Sequence, residues 1–256
     1  MPVLQIRGLT HYFGGLRAVS NFNLDLEPGE LIGIIGPNGA GKTTVFNLIT
    51  GVYRPTEGEI LFNGHNLVGK RPDQIVSLGI ARTFQTIRLF KNLSVLDNVR
   101  IARFARASYG VPEAMFRTPR YLREEAEIRE RAMELLDLLG LADQANWVAS
   151  SLPYGLQRRL EIARALATEP RLLLLDEPAA GMNPGEIAEL MELIQWIRRR
   201  FDLTIILIEH QMRVVMGICE RIKVLDFGET IAEGTPVEIQ NNPRVIEAYL
   251  GEEAVA

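Results

Sequence analysis

The chain has little that would tie it to an oxidising compartment or to a membrane interior. Its 256 residues include one cysteine, Cys219, so a disulfide within the chain is excluded and a small buried thiol is the expected role. No apolar run approaches the ~18 residues that a membrane-spanning helix needs. The longest runs, at 172–175 and 204–208, have the length of buried strands.

A large excess of charge of one sign is missing as well. The chain carries 28 basic and 32 acidic residues, which gives a formal net charge of −4. This balance provides no strong attraction to a polyanion, so we expect no nucleic-acid partner. The length and the hydrophobic fraction of 47% fit a globular protein with one large domain, or with one domain that carries a subdomain.

What is present is an alternation of strand-like and helix-like segments in the first and last thirds of the chain. Residues 31–35 form a continuous apolar run, which is typical of a strand buried on both faces, and residues 21–26 alternate like a half-buried strand. In the last third, the strand-like segments are 172–175, 204–208 and 222–225, and the helix-like segments are 184–200 and 212–219. Asn183 is the expected N-cap of the helix at 184–200. The alternation predicts a largely parallel sheet covered by helices.

The middle of the chain has a different character. From about residue 95 to residue 139, strand signals are missing and apolar residues recur at helical spacing, as in 121–139. Glutamates are interleaved with many arginines here, which is typical of a solvated helical surface, and a docking surface is the alternative. The arginines are Arg100, Arg103, Arg106, Arg117, Arg120, Arg123, Arg129 and Arg131. We therefore expect a helical block inserted into an α/β core.

Residues 36–43 fit the pattern G-x-x-x-x-G-K-[ST], between a predicted buried strand and a predicted helix. The glycines let the backbone curl so that its amides point at phosphate oxygens, and the N-terminus of the helix faces the same anion. Lys42 can reach the β- and γ-phosphates, and the Thr43 hydroxyl can ligate Mg²⁺. The predicted ATP-binding residues of this P-loop are Gly36, Pro37, Asn38, Gly39, Ala40, Gly41, Lys42, Thr43 and Thr44.

Two carboxylates, Asp176 and Glu177, follow the apolar run at 172–175. Ligands of α/β sheets bind at the carboxyl ends of the strands, so both residues are candidates for the nucleotide site. Asp176 can hold Mg²⁺ directly or through water, and Glu177 can orient and deprotonate an attacking water. A solvated acidic turn is the alternative, which the phosphate loop makes the minor one. The cofactors that the two motifs predict are ATP and Mg²⁺.

Further motifs resemble those of the ABC ATPases, in the order in which that family has them. Residues 82–85, Arg-Thr-Phe-Gln, look like the Q-loop, and residues 152–159 stand where the family signature belongs. His210, after the strand at 204–208, is similar to the switch histidine. Phe13 resembles the aromatic residue that stacks on adenine, although a core aromatic is a fair alternative.

The resemblance covers essentially the whole chain and implies the fold. It implies an α/β protein with a P-loop (RecA-like) nucleotide-binding core, an N-terminal antiparallel β portion and an inserted α-helical subdomain. On this basis we expect the core at 1–87 and 158–256 and the helical subdomain at 88–157.

The resemblance also implies roles for single residues. It makes Glu177, His210 and Gln85 the catalytic set, and Thr43, Gln85 and Asp176 the magnesium set. It makes Tyr154, Gly155 and Gln157 the signature, which would complete the site of a partner subunit, and Asn183 the D-loop residue. The chain departs from the family at Pro153 and Leu156, where the general signature has serine and glutamine, and at Asn183, where the D-loop usually has aspartate. These departures concern the site that the signature of this chain would complete.

Within the family, the chain is most similar to the ATP-binding subunits of branched-chain amino acid importers, of the LivG type. The supporting stretches are 36–50, 82–85, 154–165, 176–184, 206–210 and 241–251. The likeness implies an ATPase at the cytoplasmic face of the inner membrane, bound there peripherally. Its expected partners are a second ATPase subunit, two membrane permeases and, indirectly, a periplasmic solute-binding protein.

Several alternatives remain open from the sequence. The chain could serve another ABC system, for a different amino acid, an amide or lipopolysaccharide, or it could be a non-transport ABC ATPase. The second ATPase subunit could be a copy of this chain or a different protein. The transported solute is not visible in the sequence.

Overall fold

The computed structural model describes the backbone of residues 1–253 and the side chains of residues 1–249. The chain divides into two compact units. The first contains Met1–Ile75 and the chain from Arg171 onward, and the second contains Val76–Pro170. No helix among the described residues is long and apolar enough to cross a membrane.

The first unit begins with strands. Its elements before the second unit are β1 (Leu4–Phe13), β2 (Leu16–Leu26), β3 (Leu31–Ile35), α1 (Lys42–Ile49), β4 (Glu57–Phe62) and β5 (His65–Asn66), and α2 (Pro72–Leu78) ends beyond the boundary. Then follow β6 (Ile80–Arg82), α3 (Val95–Arg103), α4 (Val111–Met115), α5 (Pro119–Leu138) and α6 (Tyr154–Ala167) in the second unit. The remaining elements are β7 (Leu172–Asp176), α7 (Pro184–Arg200), β8 (Thr204–Ile208), α8 (Met212–Ile218), β9 (Arg221–Asp226), β10 (Glu229–Gly234), α9 (Pro236–Gln240) and α10 (Pro243–Glu253).

Four strands of the first unit form an antiparallel sheet in the order β2-β1-β4-β5. Alternate side chains of β2 are buried, at Phe22, Leu24 and Leu26, because successive side chains of a strand point to opposite faces. This confirms both the half-buried strand predicted at 21–26 and the antiparallel β portion near the N-terminus.

A second sheet of the first unit has the strand order β10-β9-β3-β8-β7. β9, β3, β8 and β7 are parallel to one another, and β10 pairs antiparallel with β9. All side chains of β3, β7 and β8 are buried, as the continuous apolar runs predicted. In the strand register, Ile208 pairs with Ile34 on one side and with Asp176 on the other, so the carboxyl ends of β3, β8 and β7 meet at one edge.

Helix α7 shows how local sequence sets an element of this unit. Asn183 is the N-cap, with its side chain accepting hydrogen bonds from Gly185 N at 2.9 Å and Glu186 N at 3.0 Å. Glu186 accepts in return from Asn183 N at 2.9 Å, which completes a capping box. The predicted cap and helix are confirmed. The buried thiol expected at Cys219 is confirmed as well, since this residue is 6% exposed.

The second unit is mainly helical. Helix α3 packs against α5 and α6, with Val95, Val99, Leu136 and Leu160 buried. The boundaries at 75/76 and 170/171 give this unit more of the chain than the expected subdomain 88–157, because β6 and all of α6 cluster with it. The functional division at 87/88 and 157/158 stays a prediction, and residues 254–256 of the expected core lie outside the described residues.

Four of the eight arginines between residues 100 and 131 form ion pairs within the second unit. Ion pairs join Arg100 to Asp97 and Glu125, Arg103 to Glu169, Arg120 to Glu113 and Glu124, and Arg131 to Glu134. This pairing supports the interpretation as a solvated, self-paired helical surface.

Candidate functional site

The predicted phosphate loop connects β3 to α1, with residues whose backbone conformations only glycine adopts readily. Gly36 has φ of 150°, and a Cβ there would lie 2.0 Å from the backbone oxygen of Leu225. Gly41, the N-cap of α1, has φ of 100°, and its Cβ would lie 2.5 Å from the backbone oxygen of Ala18. Both glycines of the motif are therefore required by the fold as well as by the shape of the loop.

The lysine of the loop is folded into it. Lys42 is 7% exposed, and its Nζ donates hydrogen bonds to the backbone oxygens of Gly36 at 2.6 Å and Pro37 at 2.8 Å. Gly228 N donates to Ala40 O at 3.1 Å, which anchors the loop to the turn between β9 and β10. The loop thus holds one positive charge beside the positive end of helix α1, an arrangement suited to a polyanion.

The acidic pair stands at the carboxyl edge of the parallel sheet. Asp176 is the last residue of β7 and is 3% exposed. Glu177 has φ of 45°, and its backbone N–H donates to Ile208 O at 2.9 Å. A left-handed conformation costs a non-glycine residue about 1–2 kcal/mol. Such outliers cluster at functional positions.

Glu177 and His210 approach each other across neighbouring strands. The Nδ1 atom of His210 lies 3.5 Å from Oε2 of Glu177. The side chain of Glu177 is 13% exposed, and that of His210 is 51% exposed. The carboxylate is therefore mostly shielded from water, while the imidazole reaches into solvent at the edge where nucleotides bind in sheets of this kind.

Sequence reasoning missed Glu209, which precedes the histidine and is fully buried. Its carboxylate accepts hydrogen bonds from Ala179 N at 2.8 Å, from His210 N at 3.2 Å and from Gln211 N at 3.4 Å. The Gln211 side chain donates to Ala179 O at 3.1 Å. Burial raises the pKa of the Glu209 carboxyl. The sequence signal that could have identified it is the run Glu-His-Gln at 209–211, directly after a predicted buried strand.

These contacts tie together the two loops that follow β7 and β8. Glu209 and Gln211 engage both backbone polar groups of Ala179, two residues beyond Glu177. Glu209 also accepts from the backbone of His210. The relative position of the acidic pair and the histidine is therefore set by a buried carboxylate that belongs to neither.

Phe13 is placed at the end of β1 and is 42% exposed. Its ring makes edge contacts with His11, at 4.6 Å between centroids, and with Tyr53, at 5.2 Å. His11 in turn stacks on Tyr53 at 5.6 Å. Phe13 thus has two aromatic neighbours and remains partly exposed, as an aromatic residue that stacks on a base must.

The remaining predicted residues are found in the second unit, apart from the D-loop residue Asn183. Gln85 has an exposed side chain, and its backbone oxygen accepts from Arg158 Nη2 at 3.0 Å. Tyr154 and Gly155 open helix α6, and Gln157 donates from its side chain to Leu152 O at 2.8 Å. Asn183 uses its side chain for the N-cap of α7.

The candidate magnesium residues fit a metal that takes few protein ligands. No cluster of three or more His, Cys, Asp or Glu side chains within the described part of the chain could hold a metal ion. Mg²⁺ does not need one, because it commonly takes one or two protein oxygens and completes its octahedron with phosphates and water. The exposed hydroxyl of Thr43 and the carboxylate of Asp176 are oxygens of that kind.

Comparison with known proteins identifies the class. The model of the ABC transporter family matches residues 19–180, which is more than half of the chain and spans the phosphate loop, the signature and the acidic pair. This chain belongs to the ABC transporter family. The predicted family and fold class are thereby confirmed.

More particular matches point to one branch of the family. Residues 229–255 match the model described as branched-chain amino acid ATP-binding cassette transporter. The chain is 50% identical over 98% of its length, and 98% of the relative, to the high-affinity branched-chain amino acid transport ATP-binding protein LivG of Escherichia coli K12.

Solved structures show the same fold. The ADP conformation of MJ1267, an ATP-binding cassette of an ABC transporter, matches with a TM-score of 0.86 and 31% identity, over 98% of this chain and 100% of that one. A dimeric structure of MJ0796, a bacterial ABC transporter cassette, matches with a TM-score of 0.76 and 28% identity, over 91% and 98% of the two chains.

Proposed function

We propose that this chain binds and hydrolyses MgATP as the cassette subunit of an importer for branched-chain amino acids. The observation that carries the proposal is the sheet edge at which β7 ends in Asp176 and at which the phosphate loop, Glu177 and His210 follow parallel strands. The likeness to a LivG protein over nearly the whole of both chains supports the solute class.

The residues divide the work of phosphoryl transfer as follows. Backbone amides of residues 36–44 and the Lys42 ammonium bind the β- and γ-phosphates, which aligns the terminal phosphorus for attack. Glu177 takes a proton from the attacking water, and His210, 3.5 Å from it, senses the γ-phosphate. The ring of Phe13 stacks on adenine.

Thr43 and Asp176, together with Gln85, are the residues proposed to hold Mg²⁺. The ion would neutralise charge on the phosphate oxygens. The shielded position of the Glu177 carboxylate keeps the base away from bulk water, where it would be solvated and less effective.

The proposed assembly has two cassettes, each completing the site of the other with its signature residues Tyr154, Gly155 and Gln157. A dimeric cassette among the structural relatives supports this arrangement. The dimer would act on two permeases at the cytoplasmic face of the membrane, which receive solute from a periplasmic binding protein.

The first test is the ATPase rate of the purified chain against protein concentration, alone and with the proposed second cassette subunit. We expect magnesium-dependent turnover that rises steeply with cassette concentration. A rise with this chain alone would mean that it pairs with itself despite Pro153 and Leu156, and a rise only with the partner would mean an obligate heterodimer. Absence of turnover in both cases would reject the proposed ATPase.

The solute is tested separately, in proteoliposomes that contain the assembled transporter and its binding protein. We expect ATP-dependent uptake of labelled leucine, isoleucine or valine. Turnover of ATP that is stimulated by another amino acid or by an amide, and by none of these three, would reject the branched-chain assignment and leave the ATPase intact.

A further inference from the structure

Helix α6 carries a fully buried arginine in its second turn. The Arg158 guanidinium donates from Nη1 to Phe84 O at 2.8 Å and from Nη2 to Gln85 O at 3.0 Å. Its relative exposure is 0%. The same side chain therefore caps two successive backbone carbonyls in the loop that contains Gln85.

A buried glutamate one turn later completes the arrangement. Oε2 of Glu161 pairs with Nη1 of Arg158 at 2.6 Å. Oε1 of Glu161 accepts from the backbone amides of Phe84 and Arg88, each at 3.3 Å. The two side chains together pair with two carbonyls and two amides of residues 84–88.

The N-terminus of α6 is joined to the same network. Nη2 of Arg158 also donates to the Tyr154 hydroxyl at 3.3 Å. Tyr154 is the first residue of α6 and the first of the proposed signature residues. Around the loop, the Arg88 guanidinium stacks on Phe84 at 4.1 Å, and Arg164 of α6 donates to the backbone oxygen of Arg88.

The free energy of folding does not by itself explain why Arg158 and Glu161 form a buried ion pair. A buried ion pair is often no more stabilising than apolar side chains of the same volume, because both charges lose their hydration. A forked guanidinium does something that apolar groups and lysine do not: it fixes several acceptors in one plane. What the pair provides is therefore a fixed position of the backbone of residues 84–88 relative to helix α6.

We propose that Arg158 and Glu161 are positioning residues that clamp the Gln85 loop onto the signature helix, so that a displacement of Gln85 moves Tyr154 and Gly155 with it. The inference rests on the proposed function, in which Gln85 contacts the nucleotide of its own cassette and the signature contacts that of the partner. The clamp would join the Gln85 loop and the signature in one rigid part of the second unit. A change at the cassette's own nucleotide would therefore be linked to the contact with the partner's nucleotide.

The test uses two variants of the clamp and one matched control. R158K keeps a charge that can pair with Glu161 but loses the fork, and R158M/E161L replaces the pair with apolar side chains. The control is R131M/E134L, because Arg131 and Glu134 form an exposed pair with the same spacing in the same unit. Circular dichroism and thermal melting identify the variants that fold.

The direct readout is the distance distribution between spin labels at T86C and S151C, in a C219A background, measured by EPR. Thr86 and Ser151 are exposed positions in the loop and just before α6. We expect a narrow distribution in the wild type and in the control, and a broad one in both clamp variants.

The functional readout is ATP turnover per folded cassette in the assembled transporter. We expect a loss of about tenfold or more in both clamp variants, because a small misplacement of a positioning group lowers kcat strongly. The affinity of the isolated cassette for ATP should stay within about twofold, since the phosphate loop is untouched.

A folded R158K or R158M/E161L variant with a narrow distribution and wild-type turnover would overturn the clamp. Loss of thermal stability with normal turnover per folded cassette would overturn it too, because it would make the pair structural only. The proposed function is judged on the turnover of the wild type, and the clamp on the ratio of variant to wild type, so that the two can fail separately.

Discussion

The two units hold their functional loops by different means. In the first unit the loops leave the carboxyl edge of a parallel sheet. They are fixed by backbone bonds, such as Glu177 N to Ile208 O, and by the Glu209 side chain, which belongs to one of these loops and bonds the other. In the second unit the Gln85 loop is fixed by side chains of α6, Arg158 and Glu161.

The two buried glutamates make the contrast specific. Glu209 accepts three backbone N–H groups, and Glu161 accepts two backbone N–H groups and pairs with an arginine. Burial raises the pKa of both carboxyls. The loops of the first unit are fixed by bonds among themselves, whereas the Gln85 loop depends on side chains of a separate helix, α6. The first suits a site that must keep its shape, and the second suits a loop that transmits a displacement.

The largest expected effect concerns the chemistry assigned to the first unit. E177Q removes the proposed base and should lower turnover by about 10²–10⁴-fold. ATP binding should be retained, because the phosphate loop and Asp176 are unchanged. Single-turnover hydrolysis and equilibrium binding of labelled ATP measure the two quantities.

The control for this prediction is E192Q, on an exposed position of α7 in the same unit. It should leave both quantities unchanged. Near-normal hydrolysis by E177Q would show that Glu177 is not the general base. The first unit would then no longer be the one that performs the chemistry, and the contrast with the second unit would be lost.

The next effect tests whether backbone geometry fixes the phosphate loop. G36A places a Cβ 2.0 Å from a backbone oxygen at φ of 150°. It should lower the free energy of unfolding by about 2–5 kcal/mol, and ATP affinity should fall with it.

The matched variant is G39A, because a Cβ there meets nothing within 4 Å at φ of 79°. It should cost only about 1 kcal/mol, for the left-handed conformation alone. Denaturant unfolding compares the two, and equal losses would show that strain rather than the close approach dictates Gly36.

A smaller effect is expected at Glu209. E209Q retains the shape of the side chain but presents an amide N–H₂ to backbone donors, so about 1–3 kcal/mol of stability should be lost. Turnover should fall while ATP affinity is kept, because the loops after β7 and β8 lose their common support. Calorimetric binding and steady-state kinetics separate the two; unaltered turnover would mean that backbone bonds suffice.

The same variant tests the raised pKa. The folded state holds the Glu209 proton more tightly than the unfolded state, because burial raises the pKa of this carboxyl above its ordinary value of 4.5. The stability that this carboxyl contributes is therefore present below that pH and is lost as the pH rises through the folded pKa. Urea unfolding at a series of pH values should show this decline in the wild type relative to E209Q. Parallel curves would contradict the assignment.

The smallest effect separates the two roles of Asn183. N183A removes the N-cap of α7 and should cost about 1 kcal/mol, whereas N183D restores the cap and the stability. Thermal unfolding measures both. Should N183D also change turnover in the assembled transporter, the departure at the D-loop position would be functional as well as structural.

Within the first unit, predictability depends on how far apart in sequence the interacting residues are. The phosphate loop, the acidic pair and the cap at Asn183 could be predicted, because each is a short motif whose role depends on backbone spacing within a few residues. The contact of Phe13 with Tyr53 could not, because Tyr53 is 40 positions further along the chain.

The sequence by itself determined the family, the parallel sheet with its antiparallel extension, and the position of the phosphate loop and the acidic pair at the ends of buried strands, since these follow from local pattern and order. Only the tertiary structure decided the support of those residues. Glu209 reaches Ala179 across 30 positions, and Arg158 reaches Phe84 across 74. Hydrogen bonds of that range are chosen by packing, because a buried polar group takes whichever partner the fold brings to it.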